Sequence, residues 1–235
     1  MVSFDFERKL KPISLTYVVY DEGDYLGMLF AWSSLSPIFI IVGFVSVLIF
    51  RRELHTITFF TGQLLNEIFN QILKSLIRQP RPPFHQEILG ESHHGYGMPS
   101  SHAQFIWYFA TYLVLFICFS IKHSPNIQDN IWKPIVGMAS LIAATTVSFS
   151  RIYLQYHTTS QVFWGTIIGI SFACIWYAIT FNYFVPLFPH IASRPICEFL
   201  LVRDSTTIPH ILWFEYANAR TEARQRHRKS SAKGH

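Results

Sequence analysis

The chain has 235 residues, half of them hydrophobic and only 14% charged, with 22 Phe, 11 Tyr and 6 Trp. A soluble domain carries nearer a quarter charged residues, so the composition excludes that class and points to a membrane, whose core takes about 20 apolar residues per span. The net charge of +5 is not gathered into a basic stripe with a recognisable binding motif, which excludes a nucleic-acid binder.

The N-terminal stretch MVSFDFERKLKPISL does not read as a cleaved signal peptide, because acids precede a late apolar run. Five membrane helices are predicted in chain order, over about 25–50, 55–77, 103–121, 131–149 and 160–187. Arg51-Arg52-Glu53 ends the first. The second carries a polar stripe, Gln63, Asn66, Glu67, Asn70 and Lys74, at spacings of three and four that place it on one helix face. Polar groups inside a membrane face the bundle interior, so this face is read either as support for Lys74 or as interhelical hydrogen bonding. The fifth is the firmest, since no Asp, Glu, Lys or Arg occurs between Ile152 and Ser193. Cys118, Cys174 and Cys197 form no metal pattern and read as small hydrophobes. His93 and His94 read as loop residues, and Gly165 with Gly169 as a packing face on the fifth helix.

The expected organisation is a polytopic all-α membrane bundle over 25–190. An N-terminal segment, 1–24, precedes it, and a basic tail, 191–235, follows. Arg51, Arg52, Lys122, Lys133 and the tail cations share one side and outnumber Arg8, Lys9, Lys11 and the cations near 74–81 and 151 on the other. By the positive-inside rule the first side is cytosolic. The opposite side is lumenal or extracellular. The tail reads as a solvated segment that reports topology, or as one attracted to anionic lipid.

Three short blocks stand at ends of apolar segments: KSLIRQPRP (74–82), PSSH (99–102) and SRIYLQYH (150–157). All three fall on the non-cytosolic side. Lys74, Arg81 and Arg151 supply cations for a phosphate, Arg as a planar fork and Lys as a point charge. Pro80, Pro82 and Pro83 end the second helix and stiffen the loop. Arg78 falls between these positions as an accessory cation. Ser100 and the N–H groups of a helix start can bind phosphate oxygens. His102 can act as a general acid.

The blocks resemble the signature of the type 2 phosphatidic acid phosphatase superfamily, and SRIYLQYHTTSQV with PSSHAQF is similar to its dolichyldiphosphatase branch over about residues 15–190. The resemblance implies a metal-independent hydrolase of the endoplasmic reticulum membrane, without a cofactor. Its lipid partner would be dolichyl diphosphate, cleaved on the lumenal side to recycle the carrier for N-glycosylation. His157 would be the nucleophile that becomes phosphorylated, and His102 the acid and then the base. Lys74, Arg81, Ser100 and Arg151 would bind the phosphoryl group. Two positions depart from the superfamily pattern. Ser101 replaces a Gly, adding a Cβ and a hydroxyl, and Gln161 replaces the Asp that usually receives the other N–H of the nucleophilic His. Both are accessory site residues. The remaining readings are a phosphatase for shorter lipid phosphates or phosphatidic acid, and a non-catalytic lipid-phosphate binder or flippase.

Overall fold

The computed structural model describes residues 10–13, 18–83, 96–120, 128–206, 208 and 211–233. It opens with an antiparallel pair, β1 (Leu10–Ile13) and β2 (Val18–Asp21), in which Pro12 faces Val19. Each strand is only four residues long, too short for an alternating pattern to mark it within the expected N-terminal segment.

The first expected span is broken into α1 (Tyr25–Ser33) and α2 (Ser36–Arg51). Pro37 in the first turn of α2 explains the restart, since it has no N–H to donate back and its ring suits a first turn. α3 (Leu54–Ile77) ends at Arg78, which adopts φ 52° and caps it through a bond from its N–H to the Lys74 carbonyl. α4 (Ser101–Leu115) continues through a wider π turn at Phe116–Ser120. α5 (Gln128–Tyr153) precedes α6 (Thr159–Ile179), which runs through a second π turn, Thr180–Phe184, into α7 (Val185–Ala192). α8 (Pro195–Phe199) and α9 (Ile211–Lys233) follow.

Over their described residues the five expected segments are helical, apart from the break at Ser34–Leu35. Among the described residues, four stretches are long and apolar enough to cross a membrane: Tyr25–Arg51, Ser101–Phe119, Ile131–Tyr153 and Thr159–Ala192. α3 is equally long, but the polar side chains that it buries lower its apolar average. α4 is the central helix and packs on α3, α5 and α6, while α1 packs on α5. An aromatic core of Phe44, Phe59, Tyr108, Tyr112 and Tyr177 holds the bundle at depth. Tyr108 donates its hydroxyl to the Phe59 carbonyl at 3.1 Å, and Trp176 donates its indole N–H to the Thr58 carbonyl at 2.9 Å. Large apolar side chains such as Phe39, Val42, Ile68, Ile135, Met138 and Phe163 point outward. In water such a surface would aggregate, whereas lipid tails cover it at no cost.

At the end of the bundle opposite the three blocks, Arg203 bridges to Glu53 and Glu215, and Arg51 pairs with Glu215. These contacts fasten the basic tail, which is helical as α9, to the α2–α3 corner.

Candidate active site

The third block is folded by a C-terminal helix cap. Gln155 takes a left-handed φ of 56°. The N–H of Tyr156 then bonds the Arg151 carbonyl at 3.0 Å, and the N–H of Gln155 bonds the Ile152 carbonyl at 3.0 Å. This is the pairing of a Schellman motif, with Gln where Gly is usual. The His157 N–H reaches the same Arg151 carbonyl at 3.1 Å. The five-residue interval between Arg151 and His157 is therefore the length of one helix cap. The cap turns both side chains toward one place, leaving Arg151 3% and His157 4% exposed.

His157 is oriented by α6. Thr158 and Gln161 form a capping box, in which the Thr158 hydroxyl accepts from the Gln161 N–H and Gln161 Oε1 accepts from the Thr158 N–H at 3.3 Å. The atom that accepts there is the amide oxygen, and Nε2 of the same side chain donates to the Pro80 carbonyl at 3.0 Å. Gln161 Oε1 lies 3.1 Å from His157 Nδ1. An amide oxygen cannot donate, so His157 carries its proton on Nδ1 and keeps Nε2 as the free base. Gln161 thus receives the N–H that a carboxylate would otherwise receive. It also ties the third block to the loop of the first.

The second block is placed by close helix contact. The Ser100 N–H bonds the Gln161 carbonyl at 3.0 Å. Ser100 caps α4 without using its side chain, and its hydroxyl is fully buried with no hydrogen-bond partner among the described residues. Arg151 Nε is likewise buried without a partner among them. Buried donors left unpaired in this way are what an anion would satisfy. The half-buried Ser101 and His102 follow on the first turn of α4. α6 meets this turn through glycines. A Cβ on Gly165 would lie 2.7 Å from the Ser100 carbonyl oxygen, and one on Gly169 would lie 2.5 Å from that of Gln104. Gly165→Ala is therefore expected to push Ser100 out of place. Turnover should fall at least tenfold while the thermal midpoint drops by only a few degrees, as for overpacking of about 1–3 kcal/mol. An unchanged rate in the alanine variant would remove this contact from the account.

The first block rests on the stripe along α3. Gln63, Asn66, Asn70 and Lys74 are buried as expected. Glu67 is not part of that face and accepts from Gln71 at 2.7 Å instead. Gln104 completes the stripe. It donates to Asn66 Oδ1 at 2.8 Å and to the Asn66 carbonyl at 3.0 Å, and accepts from Asn70 Nδ2 at 2.7 Å. Asn70 also reaches the Pro99 carbonyl at 3.4 Å. The stripe thus makes the interhelical hydrogen bonds of its structural reading, joining α3 to α4 one turn below Lys74.

The three blocks meet. Arg151, His157, Lys74 and Arg81 all lie within electrostatic reach of His102. Burial, followed by the charge of Arg81, pushes the His157 imidazole down to about 3, with Arg151 and Lys74 adding to the effect and the Gln161 bond opposing it. His157 is neutral at any physiological pH. Arg78 stands apart from this group, exposed and bonded through Nε to the Ser75 carbonyl at 2.9 Å. That bond is to its own helix, not to a site residue. His93 and His94 lie outside the described residues. Gln104, Tyr156 and Ser34, whose hydroxyl accepts from Arg151, escaped the sequence reading. A Gln on an apolar membrane helix was a usable signal for the first. Ser34 offered none.

The PAP2 superfamily profile matches residues 55–184 of the chain. Dolichyldiphosphatase 1 of Mus musculus is 46% identical over 229 residues, 95% of this chain and 94% of the relative. Dolichyldiphosphatase 1 of Dictyostelium discoideum is 39% identical, covering 88% of each chain. Lipid phosphate phosphatase gamma of Arabidopsis thaliana is 38% identical, covering 91% of this chain and 92% of its own. No solved structure matches.

Proposed function

This chain belongs to the PAP2 superfamily and is a multi-pass membrane phosphatase, and on that footing we propose that it hydrolyses dolichyl diphosphate to dolichyl phosphate and phosphate through a phosphohistidine. The carrying observation is the buried His157, its Nδ1 3.1 Å from Gln161 Oε1 and its ring within electrostatic reach of Arg81, Arg151 and Lys74. His157 Nε2 attacks the terminal phosphorus in line. The bond from that phosphorus to the bridging oxygen breaks, and His102 gives the departing lipid phosphate its proton. Water, deprotonated by His102, then attacks the phosphohistidine and releases phosphate. Lys74, Arg81, Arg151 and Ser100 hold the equatorial oxygens. Fixed charge of this sort commonly does more than any other effect to lower the barrier to phosphoryl transfer. Ser101 is an accessory donor beside Ser100.

The lipid chain has a path. α2, α4 and α5 enclose an apolar groove of about 330 Å³ lined by Ser36, Ile40, Ile106, Phe109, Ser140 and Ala143. Ile106 and Phe109 follow His102 at four and seven residues on α4, and Ser140 precedes Arg151 by eleven on α5, so the site-bearing faces continue into the groove. An apolar cavity of about 150 Å³ holds a benzene ring, so the groove has room for the first one or two isoprene units.

The site is assigned to the lumenal face and α9 to the cytosol on the excess of Lys and Arg at the α9 end. There the product is the lipid phosphate from which the carrier for N-glycosylation is rebuilt. A sequon appended after α9 should stay unglycosylated in microsomes, and its modification would reverse the orientation.

Phosphate release by purified protein in detergent with EDTA tests the reaction. Dolichyl diphosphate should be cleaved faster than farnesyl diphosphate and phosphatidic acid. Ala143→Phe, which fills the groove, should slow dolichyl diphosphate at least tenfold and spare inorganic diphosphate, which has no chain to place there. Folded protein that leaves dolichyl diphosphate intact would overturn the substrate. Loss in EDTA that a divalent ion restores would overturn the metal-free scheme. Preference for phosphatidic acid would move the chain to the broader activity that the name of the Arabidopsis relative describes.

A further inference from the structure

Tyr156 lies between Arg151 and His157 in the chain, and the mechanism above gives it no task. It is buried, and the Arg151 guanidinium carbon sits 4.9 Å from the centre of its ring. That is within range of a cation–π contact, which strengthens where water is excluded. Another side of the guanidinium donates to the Ser34 hydroxyl. With the ring over its face and Ser34 at one edge, the planar group is fixed in orientation, while its Nε remains without a partner among the described residues.

The ring is itself held from outside the bundle. Its hydroxyl accepts the Val19 N–H at 3.0 Å, a buried bond between β2 and the third block. The hairpin makes this donor available. Val19 stands opposite Pro12, which has no N–H, so the pair is not one that exchanges ladder bonds and the Val19 N–H turns outward. Val18, Ala31, Leu154 and Tyr156 pack into one cluster around that bond. β2 therefore holds the phenol, and the phenol holds the cation.

We propose that Tyr156 is a positioning residue for phosphoryl transfer, through which the β1–β2 hairpin sets the angle of the Arg151 guanidinium. The inference rests on the proposed lipid-diphosphatase reaction. An Arg free to rotate still attracts a diphosphate by its charge, but it meets the equatorial oxygens of the transition state less often in the two-point geometry that a planar fork provides. Loss of the ring should thus fall on kcat more than on KM.

The test uses full-length protein, phosphate release from dolichyl diphosphate, and inhibition by vanadate, which adopts the five-coordinate shape of a phosphoryl transition state. Tyr156→Leu should lower kcat at least tenfold with KM changed less than threefold, and should weaken vanadate inhibition at least tenfold. Tyr156→Phe keeps the face and loses the anchor, so kcat should fall only about threefold. Val19→Pro removes the donor of the same bond. It should match Tyr156→Phe, and the double variant should be no worse than either single one. A Tyr156→Leu protein with vanadate inhibition unchanged would overturn the proposal, whatever its stability. Additive losses in the double variant would overturn the part given to the hairpin, even if Tyr156→Leu does not fold. Wild-type protein that neither releases phosphate nor responds to vanadate points to failure of the proposed reaction instead.

Discussion

His157→Ala should release phosphate at least about 10⁴-fold more slowly than wild type, on the scale seen when a histidine essential to bond making is removed. The same variant should still bind a lipid diphosphate, because Lys74, Arg81, Ser100 and Arg151 do not depend on the imidazole for their positions. Arg151 is held by Ser34 and the ring of Tyr156, and Lys74 rises from the α3–α4 network. Brief incubation of wild type with terminally labelled substrate should leave acid-labile label on the protein, and the variant should carry none. Phosphate release from the alanine variant at a wild-type rate would remove the covalent step.

The low pKa of His157 adds a signature of its own. The free enzyme holds the imidazole neutral down to about pH 3, against 6.5 for an ordinary histidine. An acidic limb in kcat/KM near pH 6 therefore belongs to another group or to the diphosphate itself, since that profile reports the free enzyme and free substrate. Stability follows the opposite course. The unfolded chain binds a proton on this residue from about pH 6.5 downward and the folded chain does not, so stability is fully present above 6.5 and is lost as pH falls toward 3. The loss is of order a few kcal/mol. His157→Ala should flatten the fall of the thermal midpoint between pH 6.5 and 4.

The bundle was legible because each span announces itself by length and lack of charge, and the sidedness of the three blocks followed from counting spans. The break at Ser34–Leu35 was hidden inside a continuous apolar run, where only Pro37 marked a possible restart. The hairpin was hidden for another reason. Two four-residue strands carry almost no periodic signal, and β2 is covered by a tyrosine 137 residues further on. In the site, residue types gave the chemistry while the second layer depended on the fold. Gln104 looks like an isolated polar residue until α3 brings Asn66 and Asn70 to it. The role of Gly165 depends on how near α6 comes to the Ser100 carbonyl, and no local pattern encodes that approach.

Gln161 is where sequence and structure bear on one question from opposite sides. Its amide has the wrong charge to stabilise an imidazolium as a carboxylate does. In exchange, it donates and accepts at once, linking His157 Nδ1 to the Pro80 carbonyl and so to the loop that carries Arg81. Gln161→Leu should lose both links, and kcat should fall about 10²–10⁴-fold, as when a catalytic histidine is left without its orienting partner. Gln161→Glu separates the two functions. The carboxylate still accepts from Nδ1, so the tautomer survives. It cannot donate to the Pro80 carbonyl and is repelled by it, so the loop shifts and KM should rise at least fivefold. A negative charge beside the imidazole also raises its pKa, so an additional limb from His157 should enter the acidic side of the kcat/KM profile. If the leucine variant keeps its rate within threefold of wild type, Gln161 does not orient the nucleophile. If the glutamate variant keeps its KM, the bond to Pro80 has no part in holding Arg81. The neutral amide thus gives up stabilisation of charge on His157 for a second hydrogen bond, and that bond joins the nucleophile to a phosphate-binding cation.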